Sequence, residues 1–314
     1  MDLLPAWMKG LTPDMIKKAE EELMENSERK TEALTELKRL IEEEPNFQPL
    51  MDEEFLIRFL RAKKYNVDRA FNTLKNYYSF KSRYSGIVTD FTPHDLKFVF
   101  EMDKVLVSPK RARNGEGILI VFIGSFDIDK CTIEQHLAAS LIGAEIGMET
   151  EGSQVCGSHC VIDMQGMTFR KLKHYFQPSF VSLVARCIQD SMPYRIIGIH
   201  FVHEPSYFGA AYNVIKPLLS KKLRNRMHFH SDNLESLHEY LPPETLPEEL
   251  GGYLGKKDFQ EFRSMMMQNN DLVDRLNTYV FEGNKSPNQS NNSQAKQDVD
   301  PNATTRTLFN VSTS

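Results

Sequence analysis

A change of apolar period near residue 100 constrains this chain more than any other feature. Up to about residue 85 apolar side chains recur every three or four positions, the spacing of amphipathic helices. From Ile118 to Ile123 they stand without interruption, β-branched and aromatic, behind the turn residues Asn114, Gly115 and Gly117. Such a run is a strand buried on both faces. Thr132 to Glu149 then read as a helix, Gly157 to Met164 as a strand, Phe169 to Ser191 as a helix and Arg195 to His203 as a strand. Strands separated by helices predict a mainly parallel sheet with right-handed crossovers, hence an α/β fold.

The first 85 residues predict a helical bundle. Thr12 is an N-cap with Pro13 behind it, and Leu11 is placed to staple onto Ile16, so a helix runs to about Met24. Glu28 to Glu44, Asp52 to Tyr65 and a segment capped by Asn66 or Asp68 and reaching Arg83 supply three more. Beyond the strands, Tyr207 to Leu219 reads as a helix without a polar face. Met227 to His230 reads as a short strand, Leu234 to Tyr240 as a helix and Phe259 to Phe281 as a closing helix. The organisation expected is a helical domain over 1–85, an α/β domain over 86–260, a C-terminal helix over 261–283 and a disordered tail over 284–314. The tail is Asn, Ser, Gln and Thr with one aromatic residue, Phe309, too little apolar surface to fold.

A formal charge of -5, from 38 basic and 43 acidic residues, denies the chain the basic excess of a nucleic-acid-binding protein. Met1 to Gly10 lacks the pattern of a signal peptide, and four cysteines fit free thiols in a reducing compartment. The cytoplasm and a monomer are expected. No nucleophile elbow, metalloprotease helix, phosphate loop or paired C-x-x-C occurs, so neither an enzyme nor a cofactor is expected. Cys156, His159 and Cys160 alternate across a strand; His200 and His203 fall on opposite faces, while His228 and His230 share one. His159 points away from the two cysteines, which spoils a shared site there, and His228 and His230 lack Cys or carboxylate partners, so no metal site is expected.

The positive signal is cationic. Lys216, near the end of this mostly apolar segment, and Lys221, Lys222, Arg224 and Arg226 just beyond it stand with no acidic residue among them. Lys222 and Arg226, four apart, share a face if the stretch is helical. Adjacent apolar and basic surfaces suit contact with an anionic membrane.

With those residues in view the chain resembles the CRAL-TRIO lipid-binding family, in its branch of α-tocopherol transfer protein, cellular retinaldehyde-binding protein and clavesins. The matching stretches are FLIRFLRAKKYNVDRA from Phe55, VIDMQGM from Val161, IGIHFVHEP from Ile197, IKPLLSKKLRNRMHFH from Ile215 and LPEELGG from Leu246. The resemblance implies that the sheet floors an apolar cavity closed by a mobile helical gate, here Phe208, Val214, Ile215, Leu218 and Leu219. It implies phosphoinositide contacts at Arg61, Arg195, Lys222 and Arg226, with Ile197 standing where the tocopherol carrier has a further basic residue. It implies a lipid pocket lined by Leu137, Ser140, Ala144, Ile162, Cys187, Ile196 and Ile199; Ser140 matches a serine that helps hydrate the tocopherol hydroxyl, and Ala144 replaces a second one. Apolar periodicity alone assigns the same residues to core. Glu145, in a mainly apolar helix, reads either as a buried polar anchor or as a salt-bridge partner to a basic residue, with a structural role preferred. The function so implied is carriage of a tocopherol- or retinoid-like lipid with phosphoinositide-triggered release at endosomal or plasma membranes. The alternative is a phosphoinositide-binding trafficking adaptor of the clavesin type.

Overall fold

The computed structural model describes residues 3–281, so the tail expected over 284–314 lies outside the described residues. Helix α1 (Pro13–Lys18) starts where Thr12 accepts a hydrogen bond from the Met15 amide, and it continues as a π-turn over Ala19–Leu23 to a left-handed Met24. The same device opens α2 (Ser27–Glu43), α3 (Glu53–Ala62) and α4 (Val67–Arg83), whose caps Asn26, Asp52 and Asn66 each accept from the third amide on. The inward stripes meet in a core of Leu23, Leu37, Leu56, Phe59, Leu60 and Leu74. Phe59 packs edge-on against Tyr77 at 5.6 Å. Between α3 and α4 both Lys64 and Tyr65 take positive φ, 53° and 59°, in the left-handed region that L-residues enter at a cost. This tight reversal presents Lys63 and Lys64 outward.

After a short α5 (Lys97–Phe100) the period-two pattern begins. Strand β2 (Val105–Val107) pairs antiparallel with β3 (Gly117–Phe122), while β3, β4 (Ser158–Asp163), β5 (Ile196–Val202) and β6 (Met227–Phe229) are parallel, in the spatial order β2-β3-β4-β5-β6. A β1 of two residues (Phe47–Gln48) lies outside this sheet. The rear face, Ile118, Ile120, Phe122, Val161 and Val202, packs under Leu237, Leu241, Leu246 and Leu250. The front side chains Leu119, Val121, Cys160 and Ile162 stay only half-buried, because the helices above them stand off from the sheet. The crossovers are α6 (Ile133–Gly147), which opens with a Thr132/Gln135 capping box, α7 (Glu151–Cys156), α8 (Phe169–Tyr175) and α9 (Pro178–Arg186). Helix α10 (Phe208–Ile215) and one 3₁₀ turn lead to α11 (Lys221–Arg224), and α12 (Leu234–His238) covers the rear.

Three expected helices are broken. Tyr207 to Leu219 is α-helical only over Phe208–Ile215, because Pro217 turns the chain into the 3₁₀ segment Lys216–Leu218. Phe169 to Ser191 divides at Pro178, which takes the first position of α9 because it has no amide to give an ongoing helix. Phe259 to Phe281 divides at Asn269 into α13 (Lys256–Gln268) and α14 (Asn270–Leu276); the chain then extends into β7 (Val280–Phe281), paired antiparallel with β1. Asparagines at 269, 270 and 277 compete for backbone hydrogen bonds and interrupt the helix.

Candidate functional site

Helices α6 and α9 bridge the front of the sheet over a cavity of about 280 Å³, lined mostly by apolar side chains. Leu137, Ser140 and Ala144 reach it from successive turns of α6, Ile162 from β4 and Cys187 from the π-turn after α9. Ile196 and Ile199 both face it although they are an odd number of residues apart, because β5 carries one extra residue against β4: Ser158 pairs with Ile196 but His159 with Gly198. Gly198 is required there, since a Cβ would stand 2.7 Å from His200 Nε2 and 2.8 Å from His159 Nδ1. All seven residues expected to line a pocket therefore converge on one cavity. Trp7, Phe176 and Phe180 complete it and were not expected; none belongs to a periodic stripe that points at the sheet.

The expected gate divides into three roles. Ile215 and Leu219 line the cavity wall. Phe208 does not; its ring packs against Phe176 at 5.1 Å and Phe201 of β5 at 5.8 Å, anchoring the start of α10 to the sheet. Val214 and Leu218 point outward, 62% and 39% exposed. Nearby, Phe169 is 72% exposed and stacks on Tyr207 at 4.8 Å.

The polar groups over the cavity satisfy one another. His136 Nε2 donates to the Lys104 carbonyl at 3.2 Å, which leaves Nδ1 to accept from the Tyr175 hydroxyl at 2.7 Å. Burial pushes the His136 pKa down to about 4, so the ring is neutral. Ser140 donates to the His136 carbonyl at 2.9 Å and keeps its lone pairs for a donor. Burial pushes the Cys160 thiol up to about 12 and raises Cys187 as well, so neither offers a nucleophilic thiolate.

Beside the cavity lies a basic face. Burial, and then the nearby charges of Arg226, Arg69, Lys64 and Arg195, lower the Lys222 pKa; Lys63 is lowered by burial and by Lys222 and Arg69. The face thus gathers cations from the α3–α4 turn, the start of β5 and α11. Lys63, Lys64 and Arg69 were not expected in this face, because nothing local in the sequence announces that their turn meets α11. Helix α11 ends at Arg224, so Lys222 and Arg226 come together through a turn and not on one helix face. Arg195 bonds Glu22 at 2.9 Å. Arg61, expected beside them, is instead 1% exposed, with Nε and Nη2 both donating to Glu25 at 2.9 and 2.7 Å, and further bonds to Glu151 and Gln154. Its charge is already matched inside the protein. Arg58 is likewise buried, against Glu145 and Glu149, so of the two readings of Glu145 the salt-bridge partner is the one the structure shows.

The histidines group differently from the strand-by-strand reading. His159, His200, His228 and His230 all share the rear face, with His228 and His230 both stacked on His200. Ser236 donates to the Asn233 carbonyl, so it accepts from His230 Nδ1 at 2.7 Å; His230 Nε2 then accepts from His200 Nδ1 at 3.0 Å, and His200 Nε2 from His159 Nδ1 at 2.9 Å. Each ring is neutral, and burial takes His200 down to about 2. Among the described residues no group of side chains is arranged to hold a metal ion.

Comparison with known proteins agrees with this geometry. The sequence profile of the CRAL/TRIO domain matches residues 101–252, and that of the Pinta-like UBA domain matches residues 26–97. The chain is 31% identical over 268 residues to a Homo sapiens protein named alpha-tocopherol transfer protein-like, covering 85% of this chain and 78% of that one. It is 31% identical over 306 residues to Clavesin-2 of Rattus norvegicus, covering 95% and 93%, and 33% identical over 252 residues to Clavesin-2 of Homo sapiens, covering 79% and 77%. A mainly parallel sheet roofed by helices over an apolar cavity, and relatives of this similarity across most of the sequence, make the chain a member of the CRAL/TRIO domain family.

Proposed function

We propose that this protein carries one small hydrophobic lipid, of tocopherol or retinoid type, and releases it at membranes that bear phosphoinositides. The single observation behind this reading is the juxtaposition of an apolar cavity with a basic face and an outward apolar edge. Each 200 Å² of lipid surface removed from water is worth roughly 5 kcal/mol, enough to retain a ligand without any covalent step. Lys222, Arg226 and Arg195, joined by Lys63, Lys64 and Arg69, offer a multiply charged headgroup several charge-assisted hydrogen bonds. Val214, Leu218 and Phe169 offer apolar surface to the same membrane. Opening of the gate exposes Ile215 and Leu219, and contact with acyl chains offsets that exposure. The protein works in the cytoplasm and meets endosomal or plasma membranes reversibly; among the described residues no helix is long and apolar enough to cross a bilayer.

A second reading, a trafficking adaptor whose main task is phosphoinositide recognition, is favoured by one observation: the alignment with Clavesin-2 runs through 306 residues. Transfer of a fluorescent tocopherol between vesicles separates the two. The carrier accelerates transfer to acceptors containing phosphatidylinositol bisphosphate, and Lys222→Glu with Arg226→Glu removes the acceleration while bound lipid is retained. An unaccelerated wild type that still binds the acceptors supports the adaptor. Unchanged transfer by the double variant overturns the headgroup role of the basic face.

A further inference from the structure

A buried guanidinium without a counter-charge stands at one end of the cavity. Among the described residues three arginines are buried, Arg58, Arg61 and Arg111. The first two each hold two carboxylates. Arg111, between β2 and β3, is 1% exposed, lines the cavity and bonds only neutral groups. Its Nη1 donates to the Gly115 carbonyl at 3.1 Å and Ser153 Oγ at 3.3 Å; its Nη2 donates to the Ala6 carbonyl at 2.6 Å and Thr150 Oγ1 at 2.8 Å. Nε has no partner. The other cavity-lining arginine, Arg195, has Glu22. Burying a guanidinium is costly unless an anion and a full set of hydrogen bonds compensate it.

The unfilled edge has a definite shape. In Arg61 the Nε and Nη2 hydrogens grip both oxygens of Glu25, the side-on fork that matches a carboxylate. In Arg111 the same edge carries a lone carbonyl oxygen, that of Ala6, on Nη2 and nothing on Nε. The space around it is kept by glycine: a Cβ on Gly152 would lie 3.0 Å from the guanidinium carbon. The segment that supplies Ala6 is a short strap. It is held by Ala6 N to the Pro109 carbonyl and Arg111 N to the Leu4 carbonyl, each at 2.8 Å, and by Trp7 stacked on Phe262 at 5.6 Å.

We propose that the cavity takes a single-chain lipid ending in a carboxylate, whose two oxygens fill the Nε/Nη2 edge of Arg111 as the Ala6 carbonyl gives way. The tail lies along the apolar floor toward Ile215 and Leu219. One guanidinium neutralises one carboxylate, which fits this headgroup better than a doubly charged phosphate. The inference rests on the carrier reading and narrows its ligand class.

The test uses cis-parinaric acid, a fluorescent polyene fatty acid, and its methyl ester, read by energy transfer from Trp7, the one tryptophan of the chain. The wild type binds the acid about ten- to a hundred-fold more tightly than the ester, the worth of a charged hydrogen-bonded pair. Arg111→Gln loses that preference and keeps its affinity for the ester, whereas Arg195→Gln keeps the preference. Equal binding of acid and ester by the wild type overturns the proposal and leaves the carrier reading standing, as does an undiminished preference in a folded Arg111→Gln. Binding of neither probe overturns the proposal, and the carrier reading falls with it only if fluorescent tocopherol is not bound either. Should Arg111→Gln not fold, Arg111→Lys, which keeps the charge but not the fork, decides: a reduced preference supports the proposal and an unchanged one overturns it.

Discussion

Arg61 and Lys222 carry the same charge into opposite roles, and burial with partners sets the difference. Arg61 meets Glu25 and Glu151 inside the protein, so Arg61→Gln strands two carboxylates and costs about 3–5 kcal/mol of stability. Urea unfolding measures this, and a variant as stable as the wild type that no longer floats with anionic vesicles contradicts it. The role of Arg61 was not legible in the sequence, because Glu25 and Glu151 lie 36 and 90 residues away. His136 makes a second prediction. The unfolded chain takes up its proton near pH 6.5, the folded protein only near about 4. Its contribution is therefore complete above the unfolded value and is lost as pH falls through that window, by about 2 kcal/mol at pH 5. His200, held lower still at about 2, adds to the fall. Between pH 7 and 5 the wild type should lose about 2 kcal/mol more than His136→Gln; equal losses contradict the neutral buried ring.

Helix α10 and the turn after it show what an apolar stripe leaves undecided. The run from Tyr207 to Leu219 was read as one helix without a polar face, and only Phe208–Ile215 is α-helical. Its division into roles was not legible, because its apolar side chains look alike in sequence: Phe208 grips the sheet, Ile215 and Leu219 face the cavity, and Val214 and Leu218 face out. Val214→Asp with Leu218→Asp should leave the melting temperature within a few degrees of wild type, since exposed positions contribute little, and should lower partition onto vesicles. A large loss of stability, or unchanged partition, contradicts the outward assignment. The four parallel strands were legible almost to the residue, whereas the three-residue edge strand β2 was not read at all. Helix ends at Pro178 and Asn269 were read through, although both residues carry the signal that ends a helix.

At the scale of the whole molecule, the bundle and the sheet domain meet through buried charge as well as apolar surface: Arg58 and Arg61 on α3 reach Glu145, Glu149 and Glu151 around the α6–α7 turn. That contact fixes the α3–α4 turn, and with it Lys63 and Lys64, beside α11. The basic face is thus a product of tertiary packing, which explains why half of it was invisible in the sequence while the pocket, drawn from periodic elements, was not. The central claim is that the cavity holds one lipid, and native mass spectrometry of the purified protein with lipid extraction tests it most directly. The account predicts one lipid-sized mass increment per chain, diminished in Ala144→Phe, which fills the cavity from α6, at an unchanged circular dichroism spectrum. A folded wild type that carries no lipid after incubation with tocopherol, retinaldehyde or fatty acid, or an Ala144→Phe variant that carries as much as the wild type, would contradict it.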